Sequence, residues 1–237
     1  MKQIVMMVSV FMALSLMADA SKLIVAVKNG DIDGVKSTLN AGNDVNKAGK
    51  GGATALMWAS KKNQLDIVKL LIKKGAGINI KDSAGYNALI YASREGNIEV
   101  VKFLLESNVD VDLATNNKTT ALLFAAKNNK PEVIETLLGA GASFKSKDNS
   151  GCGVLCYALQ SEDLKNIEYL VNKGADVNEM DSENHTVLMM ASEMELSDIV
   201  SFLLKNGADK SLKDSDGGTA LDYAKEEEFE EIINLLK

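Results

Sequence analysis

The sequence predicts an all-α solenoid of about seven stacked helix-turn-helix repeats with short β-turn or hairpin tips. Three residue columns recur every 33 positions without an insertion or a deletion. The first column holds Leu23, Leu56, Leu89, Leu122, Leu155, Leu188 and Leu221. An alanine column runs from Ala26 to Ala224, and a second leucine column runs from Leu71 to Leu236. A fixed period of this length is typical of repeat architectures, in which each repeat buries its apolar face against its neighbours.

The repeat domain is expected to cover residues 21–237. Its repeats fall at about 21–48, 49–81, 82–114, 115–147, 148–180, 181–213 and 214–237. Within each repeat the pattern predicts a turn, a first helix, a second turn and a second helix. The apolar fraction of 46% and the charged fraction of 25% are those of a globular chain.

Residues 82–112 show the elements of one repeat in order. Residues 82–85 carry turn-forming side chains, and Asn87 stands where a helix N-cap belongs. The equivalent N-cap positions are Ser21, Thr54, Thr120, Thr186 and Thr219. Gly96 and Asn97 are predicted to end the first helix. The second helix has an apolar stripe made by Val100, Val101, Leu104 and Leu105.

The ends of the helices carry a second set of signals. Left-handed C-caps are predicted after the second helices at Gly75, Gly141, Gly174 and Gly207. Pro131 is expected to open a second helix, where its missing N–H is tolerated. The residues that end the first helices are Gly30, Asn63, Gly96, Asn129, Glu162, Glu195 and Glu228. Because glutamate tolerates the left-handed conformation poorly, the last three repeats are expected to be looser than the first four.

Several segments resemble the ankyrin repeat. They are T-A-L-M-W-A (54–59), T-A-L-L-F-A-A (120–126), K-G-A-D-V-N (173–178) and N-G-A-D (206–209). The usual Thr-Pro-Leu-His of the family is replaced by sequences such as Thr-Ala-Leu-Met. Apolar packing is expected instead at Met57, Ile90, Leu123, Cys156 and Met189. The resemblance implies a protein-binding module whose first helices and turn tips line a concave groove.

The first 20 residues, MKQIVMMVSVFMALSLMADA, lie outside the repeats. A lysine, an apolar run and an Ala-Asp-Ala sequence predict a secretory signal peptide cleaved before Ser21. An uncleaved anchor or an extra capping helix is the alternative, although the run is short for a membrane span. We therefore expect an exported protein, in the bacterial periplasm or secreted, that is not inserted in a membrane after cleavage and is monomeric alone. Glycosylation sequons at Asn117 and Asn184 would carry glycans on turn tips in a eukaryotic route, which mildly favours a bacterial source.

The composition argues against several classes of function. A net charge of −7 and a pI near 4.9 argue against nucleic-acid binding, which usually needs a basic surface. The single histidine, His185, has no nucleophile elbow near it, and no glycine-rich loop matches a phosphate cradle. The acidic run at residues 226–231 suits a solvated terminal cap. The sequence predicts a non-enzyme without a cofactor.

Two columns of the first helices predict the binding surface. One column reads Val25, Trp58, Tyr91, Phe124, Tyr157, Met190 and Tyr223. One turn later, the other reads Lys28, Lys61, Arg94, Lys127, Gln160, Glu193 and Glu226. Aromatic anchors beside a basic-to-acidic gradient suit a protein partner with an acidic or mixed-charge patch and apolar knobs. Alternatively, the aromatic column packs between neighbouring helices.

The predicted groove combines these columns with nearby helix and turn-tip residues. Its contact residues are Trp58, Lys61, Lys62, Tyr86, Tyr91, Arg94, Glu95, Phe124, Lys127, Tyr157, Gln160, His185 and Glu193. The roles that fit such a surface are those of an accessory protein, an inhibitor or an effector.

Cys152 and Cys156 leave three interpretations open. Cys156 can be a small packed residue, the two thiols can form a local disulfide, or both can join His185 at a soft-metal site that lacks a fourth ligand. The last two interpretations define a rival function, that of a metal-binding or redox-active envelope protein.

Overall fold

The computed structural model describes residues 22–237, which contain fourteen α-helices arranged as seven consecutive pairs. The chain divides into two compact units, the first ending at Asn116 and the second beginning at Asn117. The predicted signal peptide and the predicted N-cap Ser21 lie outside the described residues. Within 22–237, none of the helices combines the length and the apolar character needed to cross a membrane.

The first unit holds three helix pairs. Helix α1 covers residues 22–28 and α2 covers Ile32–Asn40. Helices α3 (Ala55–Lys61) and α4 (Leu65–Lys73) form the second pair, and α5 (Ala88–Glu95) and α6 (Ile98–Glu106) form the third. A short 3₁₀ turn lies at Lys50–Gly52. The predicted leucine columns form the core of this unit, where Leu56, Leu71, Leu89 and Leu104 are at most 1% exposed.

The second unit holds four helix pairs. They are α7 (Ala121–Lys127) and α8 (Pro131–Gly139), α9 (Val154–Leu159) and α10 (Leu164–Asn172), α11 (Val187–Glu193) and α12 (Ser197–Lys205), and α13 (Ala220–Glu226) and α14 (Glu230–Leu236). Pro131 opens α8 as predicted. Leu122, Leu155 and Leu188 are buried to 1% exposure, so the same columns form this core.

Side-chain caps begin most of the first helices. The predicted N-caps Thr54, Asn87, Thr120, Thr186 and Thr219 each accept a hydrogen bond from the backbone N–H three residues later. In α3 and α11 the thioether of the third helical residue also accepts the N-cap N–H, at 3.4 Å from Thr54 to Met57 and from Thr186 to Met189. The predicted apolar packing is confirmed at Met57, Ile90, Leu123 and Met189, which are at most 2% exposed. Cys156 is only partly buried.

The first helices end in the left-handed conformation throughout the described residues. Gly30 and Gly96 have φ angles of 71° and 83°. The other five residues share it, with φ of 57° at Asn63, 49° at Asn129, 53° at Glu162, 59° at Glu195 and 59° at Glu228. The predicted glycines after the second helices, Gly75, Gly141, Gly174 and Gly207, have φ between 86° and 102°. The three glutamates therefore occupy a conformation that disfavours side chains with a Cβ.

Turn tips of adjacent repeats are joined through their backbones within each unit. In the first unit the Ser83 N–H donates to the Gly51 carbonyl and the Asn116 N–H to the Ala84 carbonyl, both at 3.0 Å. In the second unit, Ser182 donates to Ser150 at 3.0 Å in the same way. The tips are turns rather than strands in the described residues, with one antiparallel bridge between Met180 and Thr186.

Candidate functional site

The first helices of the first unit bring cations and aromatic rings into alternation. The Lys28 ammonium lies 4.0 Å from the centroid of the Trp58 ring. The Lys61 ammonium lies 5.6 Å from Trp58 and 5.9 Å from Tyr91, so it stands between the two rings. The Arg94 guanidinium follows at 5.3 Å from Tyr91. We call Lys28, Trp58, Lys61, Tyr91 and Arg94 the cation–aromatic ladder.

The ladder follows directly from the repeat period. Trp58 and Tyr91 occupy the same position in adjacent repeats, and each is followed one helical turn later by Lys61 or Arg94. Lys61 and Arg94 therefore each contact the ring of their own repeat, while Lys28 and Lys61 each contact the ring of the next repeat. Each such contact is worth about 0.5–1 kcal/mol at an exposed site.

Tyr86 extends the ladder towards the turn tip. Its ring centroid lies 5.2 Å from that of Tyr91, and Arg94 lies 5.7 Å from it. Glu95 forms an ion pair of 3.0 Å with Arg94. The predicted contact residue Lys62 is the exposed C-cap of α3. The structure thus brings six of the predicted groove residues into contact in the first unit, namely Trp58, Lys61, Tyr86, Tyr91, Arg94 and Glu95.

A hydrogen bond fixes the Tyr91 ring. Its hydroxyl donates to the Asp82 carboxylate at 2.7 Å. Burial, followed by this hydrogen bond and the charge of Asp82, raises the pKa of Tyr91 to about 12. The hydroxyl therefore stays protonated at neutral pH and ties the ring to its own turn. A small pocket is lined by the Trp58 and Tyr91 rings together with Ala53, Met57 and Lys61.

The two predicted columns of the first helices have different surroundings in the second unit. Tyr157 is only 7% exposed, and its hydroxyl lies 2.9 Å from the Asp148 carboxylate and 3.0 Å from the Thr119 hydroxyl. It therefore belongs to the internal packing that the sequence offered as the alternative, and offers little surface to a partner. Phe124 is half-buried, whereas the predicted contact residues Lys127, Gln160 and Glu193 are exposed.

Hydrogen bonds between tyrosine and aspartate recur in every second repeat. Tyr91 is bonded to Asp82, Tyr157 to Asp148 and Tyr223 to Asp214. These bonds were not predicted from the sequence. The signal that would have revealed them is an aspartate nine residues before each tyrosine, repeated at 66 residues.

His185 belongs to the last of these pairs. Its Nε2 lies 2.8 Å from the Tyr223 hydroxyl, which donates to Asp214 at 2.6 Å. Asp181 lies 3.8 Å from its Nδ1. The hydrogen bond from Tyr223 is the first cause that holds the pKa of Asp214 below its ordinary value, and the same bond raises the pKa of Tyr223. His185 is therefore held in a network, with 30% of its side chain exposed.

Cys152 and Cys156 are joined in a disulfide, so the interpretation of Cys156 as a packed free residue was wrong. Both line a small pocket with His185, Glu179 and Met190. The pairing takes both sulfurs out of the thiolate form that a metal would need. Within residues 22–237, no cluster of three or more histidine, cysteine, aspartate or glutamate side chains has the geometry of a metal site.

Comparisons with known proteins agree with this geometry. The family model described as ankyrin repeats (three copies) matches residues 23–115, 107–181 and 155–237. The crystal structure of the ankyrin repeat domain of Bcl-3, a member of the IkappaB protein family, has a TM-score of 0.79 and 26% identity, covering 91% of this chain and 97% of that one.

A second solved structure is similar at higher identity. It is a chain from the complex of the predatory endopeptidase Bd0816 of Bdellovibrio bacteriovorus with the immunity protein Bd3460. The TM-score is 0.70 at 32% identity, covering 80% of this chain and 98% of that one. Comparison with curated proteins gives no match.

Proposed function

Because the chain belongs to the ankyrin repeat family, whose repeats are typically non-catalytic protein-interaction scaffolds, we propose that it is an exported protein that binds a protein partner through the cation–aromatic ladder. Through this binding the exported protein acts as an accessory protein, an inhibitor or an effector. The observation that carries this proposal is the alternation of Lys28, Trp58, Lys61, Tyr91 and Arg94 on one face of the first unit.

The ladder has the properties of a binding surface. Trp58 and Tyr91 are half-buried and held by their neighbours, so little side-chain entropy is lost when a partner covers them. Lys61 and Arg94 are positioned by the same rings and steer an approaching acidic surface. The partner places an apolar side chain between the two rings and carboxylates beside the two cations.

Two observations support export. The first 20 residues have the features of a signal peptide. The Cys152–Cys156 disulfide fits an oxidising compartment such as the periplasm or the extracellular space. The similarity to a chain of an endopeptidase–immunity protein complex supports an inhibitor or accessory role. Mass spectrometry of the protein recovered from cell fractions tests export, which predicts an N-terminus at Ser21 in the exported fraction.

Charge reversal tests the binding surface. A Lys61→Glu/Arg94→Glu variant is compared with a Lys69→Glu/Lys73→Glu variant, which makes the same change of charge at exposed positions on α4. Both variants and the parent serve as bait in envelope extract at low salt, and the captured protein is then purified for titration. The first variant is expected to bind at least tenfold more weakly, and the second within about threefold of the parent. An equal loss of affinity in both variants would indicate a non-specific effect of charge and would refute the ladder as the binding site.

A further inference from the structure

Helix α9 begins differently from the other first helices of repeats two to seven. Five of these six helices have a threonine or asparagine N-cap whose side chain accepts a backbone N–H. The N-cap of α9 is Gly153, which has no side chain to accept a backbone N–H. Helix α9 is also the shortest of the six, with six residues, where the others have seven or eight.

The space that a capping side chain would need is already filled. A Cβ at Gly153 would collide with the carboxylate of Glu179. That carboxylate is half-buried and pairs with Lys147 at 3.5 Å. Residue 153 therefore has to be glycine while Glu179 keeps this position, and α9 forgoes the cap that its neighbours have.

The disulfide spans the same first turn of the helix. Cys152 precedes the N-cap, and Cys156 is the third helical residue, the position that Met57 and Met189 hold when they close the capping box of α3 and α11. The Cys152 N–H also donates to the Asp148 carboxylate at 3.0 Å. The disulfide thus links the start of α9 covalently to the turn that precedes it.

We propose that the Cys152–Cys156 disulfide is a reversible redox cap that replaces the missing N-cap of α9 and is opened by a dithiol reductant. A thiolate of the reductant attacks one sulfur, the S–S bond breaks, and a mixed disulfide forms. The second thiol of the reductant resolves it, so that the reductant leaves as a disulfide and the protein as a dithiol. Two electrons and two protons pass from the reductant to the two cysteine sulfurs.

The site is accessible for this exchange. Cys152 and Cys156 are both partly exposed, and both line a small pocket. Opening the disulfide leaves the first turn of α9 with neither a side-chain cap nor a covalent one. It also loosens the support of Tyr157, because Cys152 and Tyr157 share the Asp148 carboxylate. The order of this part of the second unit thereby depends on the redox state of the compartment.

Hydrogen exchange of the full chain with and without dithiothreitol tests the proposal. The chain has two cysteines, so the reductant has no other target. Reduction is expected to speed amide exchange in α9 at least tenfold, while exchange in α11, which keeps its Thr186 cap, changes less than twofold. Unchanged exchange in α9 would overturn the proposal. An equal acceleration in α7, α9 and α11 would also overturn it, because the disulfide would then act on the whole unit.

A recapped variant provides the matched control. Cys152→Ala, Gly153→Thr and Cys156→Met install the residues found at positions 53, 54 and 57, and Glu179→Leu clears the space, as at positions 113 and 212. Exchange in α9 of this variant is expected to match that of the oxidised parent and to be indifferent to dithiothreitol. Exchange as fast as in the reduced parent would show that capping is not what the disulfide supplies.

Discussion

Replacing Glu195 by glycine is expected to stabilise the protein, although the substitution removes a side chain. Glu195 follows α11 with a φ of 59° and is exposed to solvent. Glu162 and Glu228 occupy the equivalent positions with φ of 53° and 59°. Glycine holds this position at Gly30 and Gly96. The left-handed conformation is therefore required by the turn whichever residue is present.

The size of the effect follows from two opposing terms. A residue with a Cβ loses about 1–2 kcal/mol in the left-handed conformation. Glycine removes that strain but adds about 0.5–1 kcal/mol of conformational entropy to the unfolded chain. The net gain is about 0.5–1 kcal/mol for each site. The three sites lie in successive repeats and share no hydrogen-bond partner, so a triple variant is expected to gain about 1.5–3 kcal/mol.

Glu193→Gly is the matched control. Glu193 is exposed like Glu195, but it lies at the end of α11 with helical geometry, where glycine costs up to about 1 kcal/mol. Both variants lose the same side chain and the same charge. Urea unfolding is followed by circular dichroism, and hydrogen exchange resolves individual repeats. The free energy of unfolding is expected to rise in Glu195→Gly and to fall in Glu193→Gly. Equal shifts in both variants would refute the backbone argument, and uniform exchange protection across all repeats would refute the looser C-terminal repeats.

Three further substitutions test individual contacts by urea unfolding. Tyr223→Phe removes the hydrogen bond that lowers the pKa of Asp214. The stability that the ionised Asp214 contributes above its ordinary pKa is lost as pH falls, so the variant should lose less stability on acidification than the parent. An equal loss of stability in the variant and the parent would contradict this. Asn97→Ala removes side-chain bonds of 2.8 and 3.1 Å to the carbonyls of residues 60 and 61 and should cost about 1–2 kcal/mol; a cost near zero would contradict coupling of the repeats through this amide. Burial is the first cause that raises the pKa of Glu179 above 4.5, and the charge of Lys147 opposes it. The stability that the protonated side chain contributes is therefore lost as pH rises above 4.5 and through the raised pKa, so Glu179→Gln should gain stability relative to the parent as pH rises, and a difference independent of pH would contradict this.

The period of the sequence accounts for the fold and for much of the candidate site. It located the caps of α3, α5, α7, α11 and α13 because their first turns repeat the same chemistry. It also placed Lys61 one turn beyond Trp58 and Arg94 one turn beyond Tyr91, which is sufficient to build the ladder. Local periodicity is informative here because each repeat contacts mainly its neighbours.

The period could not decide how each side chain is used. Tyr157 and Tyr91 share a column, yet Tyr157 is buried, because its hydroxyl reaches both Asp148 and the small side chain of Thr119. The spacing of Cys152 and Cys156 suits both a pair of thiols and a disulfide. These outcomes depend on rotamers and on the residue that fills the neighbouring column, which a repeat pattern does not specify.

The two units differ in how well local backbone chemistry is satisfied. In the first unit the first helices end at Gly30, Asn63 and Gly96, which tolerate the left-handed conformation. The second unit ends three of its four first helices at glutamates, and it alone contains a first helix without a side-chain cap among α3 to α13. The proposed binding at the ladder would therefore use a preorganised surface, and little free energy would be lost in ordering that surface. Local opening should begin in the second unit, where reduction of the disulfide adds to the strain at the glutamates. Hydrogen exchange should accordingly show α9 opening before α3 in the reduced chain, and the reverse order would mean that these local terms are outweighed by packing.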